Sequence, residues 1–175
     1  MENTNTTNWT IDNVHSEVAF KVRHMMISTV TGYFDDFKST IKTNGDDFKN
    51  ASVEFTANVK SINTKNNDRD NHLKSDDFFN AEKFPELKFV SKSFDGDKIT
   101  GDLTIRDVTK EVVLDVDFNG IAVDPYGQTK AGFEINGEIN RKDFNLTWNG
   151  VTETGSIVVS DKVKIAVDAQ FIKQG

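Results

Sequence analysis

Lys162-Val-Lys-Ile-Ala-Val-Asp-Ala-Gln-Phe171 places Val163, Ile165, Val167, Ala169 and Phe171 on one face of an extended chain. Successive side chains of a strand point to opposite sides, so an apolar row of period two predicts a strand with one dry face. The same template recurs back along the chain. It fits Phe133/Ile135/Gly137/Ile139, Val112/Leu114/Val116/Phe118, Ile99/Gly101/Leu103/Ile105 and Leu87/Phe89. Nearer the amino terminus it fits Val53/Phe55/Ala57/Val59, Val30/Gly32/Phe34 and Val18/Phe20/Val22/His24.

About eight strands result, bounded by the turn-forming clusters Asn44-Gly-Asp-Asp47, Asp95-Gly-Asp97, Asp124-Pro-Tyr-Gly127 and Asn149-Gly150. Short connections between neighbours predict an antiparallel, mostly meandering sheet. Only residues 66–80 break the rhythm: they lack β-branched residues and read as a short helical segment closed off before Pro85. The fold class is therefore all-β, with one domain over residues 9–173 behind a polar, disordered tail at residues 1–8. Such a sheet either closes into a barrel or folds into a two-layer sandwich. Closure has the advantage of removing exposed edges. An eight-stranded barrel is wide enough to be filled by side chains or to hold one small ligand, and periodicity does not distinguish the two.

Phenylalanine supplies 14 residues against two each of Trp and Tyr. It brings bulk without a polar group that needs a partner, which suits a packed core or a greasy cavity more than a wet catalytic cleft. The net charge of −7 and the absence of any Lys/Arg stripe argue against nucleic acid and against an anionic membrane as partners. No apolar run approaches the ~20 residues of a membrane helix, so stable membrane insertion is not expected. With no cysteine, disulfides and thiolate chemistry are excluded. The amino-terminal octet carries no secretory signal, which predicts a cytoplasmic protein if Met1 is the native start and a periplasmic one if a signal has been removed.

Arg69-Asp-Asn-His72 is the stretch richest in acid–base groups, and it supports an alternative reading as an enzyme. Adjacent residues of a helix point in different directions, however, and no nucleophile sits in a recognisable setting. His15, His24 and His72 show no metal-ligand spacing, and the acidic run Asp68, Asp70, Asp76 and Asp77 lacks the glycine and terminal glutamate of a calcium loop, so no metal is expected. His24 falls on the apolar parity of its strand beside Met25 and Met26. There it is either a satisfied core histidine or a polar group facing a ligand.

The ordered features Trp9-Thr-Ile-Asp12, His15-Ser16, Phe20, His24-Met25, Val30-x-Gly32-x-Phe34, Arg69-Asp-x-His-Leu73, Asp77-Phe-Phe79, Phe84-Pro85-x-Leu-x-Phe89-x-Ser91 and Gly101-x-Leu-Thr-Ile-Arg-x-Val-Thr-Lys110 resemble the YceI-like family of lipid-binding proteins. The resemblance implies a lipocalin-like, eight-stranded antiparallel barrel, often a homodimer. Its tunnel would take a polyisoprenoid, isoprenoid quinone, fatty acid or fatty amide for transport, storage or sensing. No cofactor is expected beyond that bound isoprenoid or other long-chain lipid, and no catalysis. Combined with the parity above, it makes Phe20, Val22, His24, Phe34, Phe55, Leu73, Phe78, Phe79, Phe89, Leu103 and Phe118 the expected tunnel wall. One departure is Arg141-Lys-Asp-Phe-Asn145, where the family commonly has glycine after the aromatic residue, so a different local turn is expected there.

Overall fold

The computed structural model describes residues 6–149 and 159–175; residues 1–5 of the expected tail and Gly150 of the expected turn lie outside them. Strands β1 (Thr6–Ile11) and β2 (Glu17–His24) flank a single 3-10 turn at Asn13–His15. Next come β3 (Ser28–Phe34), β4 (Phe37–Asn44) and β5 (Asp47–Asn58), which continues through a second 3-10 turn into the two-residue β6 (Ile62–Asn63). Helix α1 (Asn67–Lys74) is followed by β7 (Glu86–Phe94), β8 (Lys98–Ile105), β9 (Val108–Val123), β10 (Thr129–Asn140) and β11 (Lys162–Lys173).

Strands β4, β5, β7, β8, β9, β10 and β11 are hydrogen-bonded neighbours in that order, and β1 pairs with both β4 and β11, which closes the ring. Strand β2 pairs with the other half of β11, and β3 pairs with β2 and β6. Thus β1/β2, β3/β4 and β5/β6 are three long staves, each interrupted once, and the barrel has eight antiparallel staves. Closure leaves no sandwich edge to protect. Each stave contains one of the strands expected from alternation. Thr6–Asn8, expected in the disordered tail, instead form the first rungs of β1, Thr6 opposite Asn44 and Asn8 opposite Lys42. The expected helical segment is realised as α1, whose first turn is capped by the Asn66 side chain accepting from the Arg69 N–H at 3.0 Å.

The interruption between β1 and β2 is pinned by Asp12. Its carboxylate accepts from Lys130 Nζ at 2.8 Å and from the Val14 N–H at 3.1 Å, and lies 2.8 Å from His15 Nδ1. Burial opposes the charge, but the hydrogen bonds from Lys130, His15 and Val14 outweigh it and hold the carboxyl at about 2. Because an unfolded aspartate titrates near ~3.9, this contribution to stability is complete above about pH 4 and is lost as the pH falls through about 2. Asp12→Asn should therefore melt below the parent protein at neutral pH and converge with it near pH 2. A constant gap across a pH series of melting curves would exclude the charge as the cause.

One end of the barrel, where β1 begins and β11 ends, is plugged by rings. Trp9 is fully buried and donates its indole N–H to Thr43 Oγ1 at 2.9 Å. Its ring lies 4.9 Å from Phe48, Phe48 lies 5.1 Å from Phe133, and Phe133 lies 5.9 Å from Phe171. These are spacings at which aromatic pairs attract beyond their buried area.

Gaps in the inward apolar rows have a packing reason. A Cβ on Gly101 would stand 2.5 Å from the Val90 carbonyl oxygen and 2.6 Å from the Phe89 ring, so the phenylalanine can lie flat only over a glycine. Gly101→Ala should cost about 1–3 kcal/mol in denaturant unfolding through overpacking against backbone that cannot retreat.

Candidate ligand-binding site

Above the aromatic plug the barrel is hollow. A cavity of about 380 Å³ runs inside it, within the range of pockets that bury small ligands (~300–1,000 Å³). Val163, Ile165, Val167, Ala169 and Phe171 of β11 all face it. Eight residue steps at ~3.3 Å are roughly 26 Å of strand, or about 20 Å along the axis of a barrel whose strands tilt by ~35–45°, so the lining describes an elongated tunnel rather than a round chamber. Inward-facing Ile135, Ile165 and Val167 are only half-buried, although the opposite face of their strands meets bulk water. Their remaining accessible surface belongs to the tunnel. Of the two interiors that parity left open, filled or hollow, the cavity favours the hollow one.

Ten of the eleven residues expected on the wall are there: Phe20, Val22 and His24 from β2, Phe34 from β3, Phe55 from β5, Leu73 from α1, Phe78 and Phe79 from the following turn, Phe89 from β7 and Leu103 from β8. Phe118 is not. It stands opposite Phe133 at a β-bulge, packs on Phe48 and Phe133 at 5.2 and 5.1 Å, and is 45% exposed. Strict alternation cannot foresee a bulge, which ends the regular inward face one residue past Phe118. Phe118 thus belongs to the plug below the tunnel.

Polarity along the tunnel is uneven. Among the described residues Ser39 is the one polar wall residue in its apolar length, and its hydroxyl is satisfied by donating to the Glu54 carbonyl at 2.7 Å. The other polar wall residues, His24, Thr64, Arg69, His72 and Arg141, gather at the opposite end from the plug, where the β2–β3 turn, α1 and the segment after β10 converge. Arg23 borders the tunnel there from the outward parity of β2, its guanidinium donating to Thr29 Oγ1 and the Met26 carbonyl. Here Trp148, His72 and Phe78 form a three-ring cluster, Trp148 lying 4.7 Å from His72 and 5.2 Å from Phe78. The His24 ring has no hydrogen-bond partner among the described residues and is exposed at this mouth. Of the two readings of His24, the packed core histidine is thereby excluded.

The acid–base segment is dispersed. Asp70 is buried and accepts from the Thr64 N–H at 2.8 Å and the Thr64 hydroxyl at 2.6 Å. Arg69 donates from Nε to Thr64 Oγ1 at 2.8 Å and from Nη2 to the Thr64 carbonyl at 2.7 Å. His72 instead pairs with Asp77 at 2.8 Å. Arg69 and Asp70 meet at Thr64, where they staple α1 to the end of β6, while His72 holds the turn after α1 and does not join them.

Arg141, at the start of the 3-10 turn after β10, is a wall residue that the expected wall omits. Continuing Phe133/Ile135/Gly137/Ile139 by two residues lands on it, and it points inward, 2% exposed. Its guanidinium donates to the carbonyls of Ser160 (2.9 Å), Leu146 (2.5 Å) and Trp148 (2.7 Å). Burial lowers its pKa and the Asp161 carboxylate at 3.7 Å works the other way. Asn145 has a φ of 62°, in the left-handed region that glycine takes most readily and asparagine next.

Comparison with known proteins agrees with this architecture. The YceI-like domain matches residues 9–171. A UPF0312 protein of Staphylococcus aureus (strain MSSA476) is 40% identical over 166 residues, covering 94% of this chain and 97% of its own. The crystal structure of a Campylobacter jejuni YceI protein, 35% identical, superposes with a TM-score of 0.73 over 87% of this chain and 90% of that one. A polyisoprenoid binding domain from Saccharophagus degradans shares the fold at 14% identity, with a TM-score of 0.73 over 95% and 98% of the two chains.

Proposed function

The chain belongs to the YceI-like family, and from that premise we propose that it holds one long apolar molecule, a polyisoprenoid, isoprenoid quinone, fatty acid or fatty amide, in its tunnel for transport, storage or sensing, without altering it. The observation that carries this reading is the distribution of polarity: a narrow apolar bore plugged at one end, with its polar residues collected at the other. Such a site takes a chain tail-first and leaves the head group at His24 and the Trp148 cluster. Each buried methylene contributes about 0.8 kcal/mol, so some ten supply ample gross affinity before ordering costs are subtracted. Contacts of this kind recognise length and width more than identity. The polyisoprenoid-binding name of the Saccharophagus degradans domain is in keeping with a tail of this class.

Organic extraction of the purified protein followed by mass spectrometry should recover about one long-chain lipid per chain. Empty protein that also refuses a fluorescent prenyl or acyl probe would refute the reading. The enzyme alternative through Arg69, Asp70 and His72 is opposed by the separate hydrogen bonds that engage these residues. His72→Ala should keep the extracted lipid chemically unchanged. Turnover of an isoprenoid or amide substrate that disappears in this variant would restore the alternative.

A further inference from the structure

The turn between β2 and β3 rises beside the tunnel mouth and carries Met25, Met26 and Ile27, which are 37%, 54% and 77% exposed. It is closed by the Ile27 N–H donating to the His24 carbonyl at 3.1 Å, and its two central residues have φ of 52° and 60°. Left-handed φ at both central positions is the geometry that Asn-Gly meets at little cost, whereas residues with long side chains there hold the backbone under strain. Two methionines in this place are unfavourable for the turn and unfavourable for water. They are favourable only for an apolar environment outside the protein.

The outer face below this tip sorts its charges by height. Glu134, Asp168 and Glu17 form one acidic rung across β10, β11 and β2, on the side of the plug. Toward the mouth the next charged rung is Glu138, Lys164 and Lys21, and beyond it Lys162 and Arg23 take the next outward positions of β11 and β2. Lys21 and Lys164 stand directly opposite each other, an arrangement that destabilises a sheet pair. The one carboxylate of this band, Glu138, lies 3.5 Å from Lys162 Nζ. Among the described residues, these rungs of β10, β11 and β2 set four cations against one anion beneath the apolar tip, in a chain whose net charge is −7. The carboxylates Asp76, Asp77 and Asp161 stand on the α1 and β10–β11 side of the mouth.

We infer that the Met25-Met26-Ile27 tip and the band of Lys21, Arg23, Lys162 and Lys164 dock the barrel, mouth first, on the surface of an anionic lipid bilayer. An apolar tip seated among acyl chains with cations at headgroup level is the pattern of peripheral membrane binding. The acidic rung turns the plugged end away, so a chain repelled at long range by its net charge still has one attractive face. A second copy of the chain fits the same surface poorly, because mouth-to-mouth pairing would bring two basic bands together. The inference rests on the tunnel reading only for what the mouth collects.

Flotation of the full chain with vesicles of phosphatidylcholine, and of equal parts phosphatidylcholine and phosphatidylglycerol, tests it. The chain should float with the anionic vesicles, less so with the neutral ones, and come off as salt is raised. Met25→Asn/Met26→Gly supplies the residues the turn prefers and should fold at least as well while partitioning about tenfold less. Lys162→Gln/Lys164→Gln should lose roughly tenfold or more on the anionic vesicles alone. Parent protein that does not float, or variants that float equally well, would overturn the inference. So would a Met25→Asn/Met26→Gly protein that partitions normally but changes its self-association in sedimentation equilibrium, which assigns the tip to a second copy. Extracted lipid per chain is scored separately, so docking and tunnel occupancy can fail independently.

Discussion

Arg141→Met is expected to lower the stability of the barrel by about 3–5 kcal/mol, the cost of removing one partner from a buried charged network. The methionine roughly replaces the aliphatic stem, so the loss is that of the guanidinium. Three carbonyls, those of Ser160, Leu146 and Trp148, then lack a donor. A buried polar group left unsatisfied costs about 1–3 kcal/mol, and the lower values apply near the mouth, where water can replace the lost donor. For a domain of this size each kcal/mol moves the melting temperature by about 2–4 °C, so a fall on the order of 10 °C should be seen. Hydrogen exchange should quicken first at residues 145–149 and 159–161, whose backbone the guanidinium gathers. Arg141→Lys should recover little, since a single ammonium cannot reach donor positions that a planar fork fills at once. Unchanged melting and exchange in Arg141→Met would mean that these carbonyls are held by something other than Arg141.

Arg141 also marks how far the sequence could be read. Alternation found a strand in each of the eight staves, because every stave has a dry inner face and a wet outer one. It passed over β1, where Trp9 alone is buried, and β4, whose inward positions include Ser39 and Thr43. Both hydroxyls are buried, yet Ser39 donates to the Glu54 carbonyl and Thr43 accepts from the Trp9 indole, so each occupies an apolar slot without cost. A period counted in apolar residues does not register such positions. The same rule stopped at Ile139 because β10 ends at Asn140, and Arg141 opens a 3-10 turn (Arg141–Phe144) where strand alternation no longer governs which way a side chain points. Phe118 failed for a different reason: its parity matches Phe133, directly opposite, but parity carries no height along the barrel, and Phe118 sits at the level of the Phe48 and Phe133 plug. The seven-residue combination of Trp9, Phe48, Phe133, Phe171, Phe78, His72 and Trp148, which plugs one end of the barrel and crowds the other, joins segments too distant in sequence for any local pattern to connect.

What parity could not decide at all was the hollow, since wall and core residues share one pattern, and here the second large effect is expected. Ile135 and Val167 stand opposite each other on β10 and β11, and both face the tunnel. Ile135→Phe/Val167→Phe would put two rings at one level of the tunnel. Phenylalanine brings no polar group needing a partner, so the rings can occupy the void without an unsatisfied donor. The variant should melt no lower than the parent, because it fills space instead of displacing atoms, while extracted lipid falls from about one per chain to nearly none. Ala57→Trp is the contrasting case: Ala57 is 1% exposed, lies off the tunnel wall, and has no void to receive an indole. It should cost about 1–3 kcal/mol or more by overpacking. If the two phenylalanines destabilised the protein as much as the tryptophan does, the interior would be filled in solution. If instead the barrel stayed stable and kept its lipid, the ligand would have to lie elsewhere than along β11.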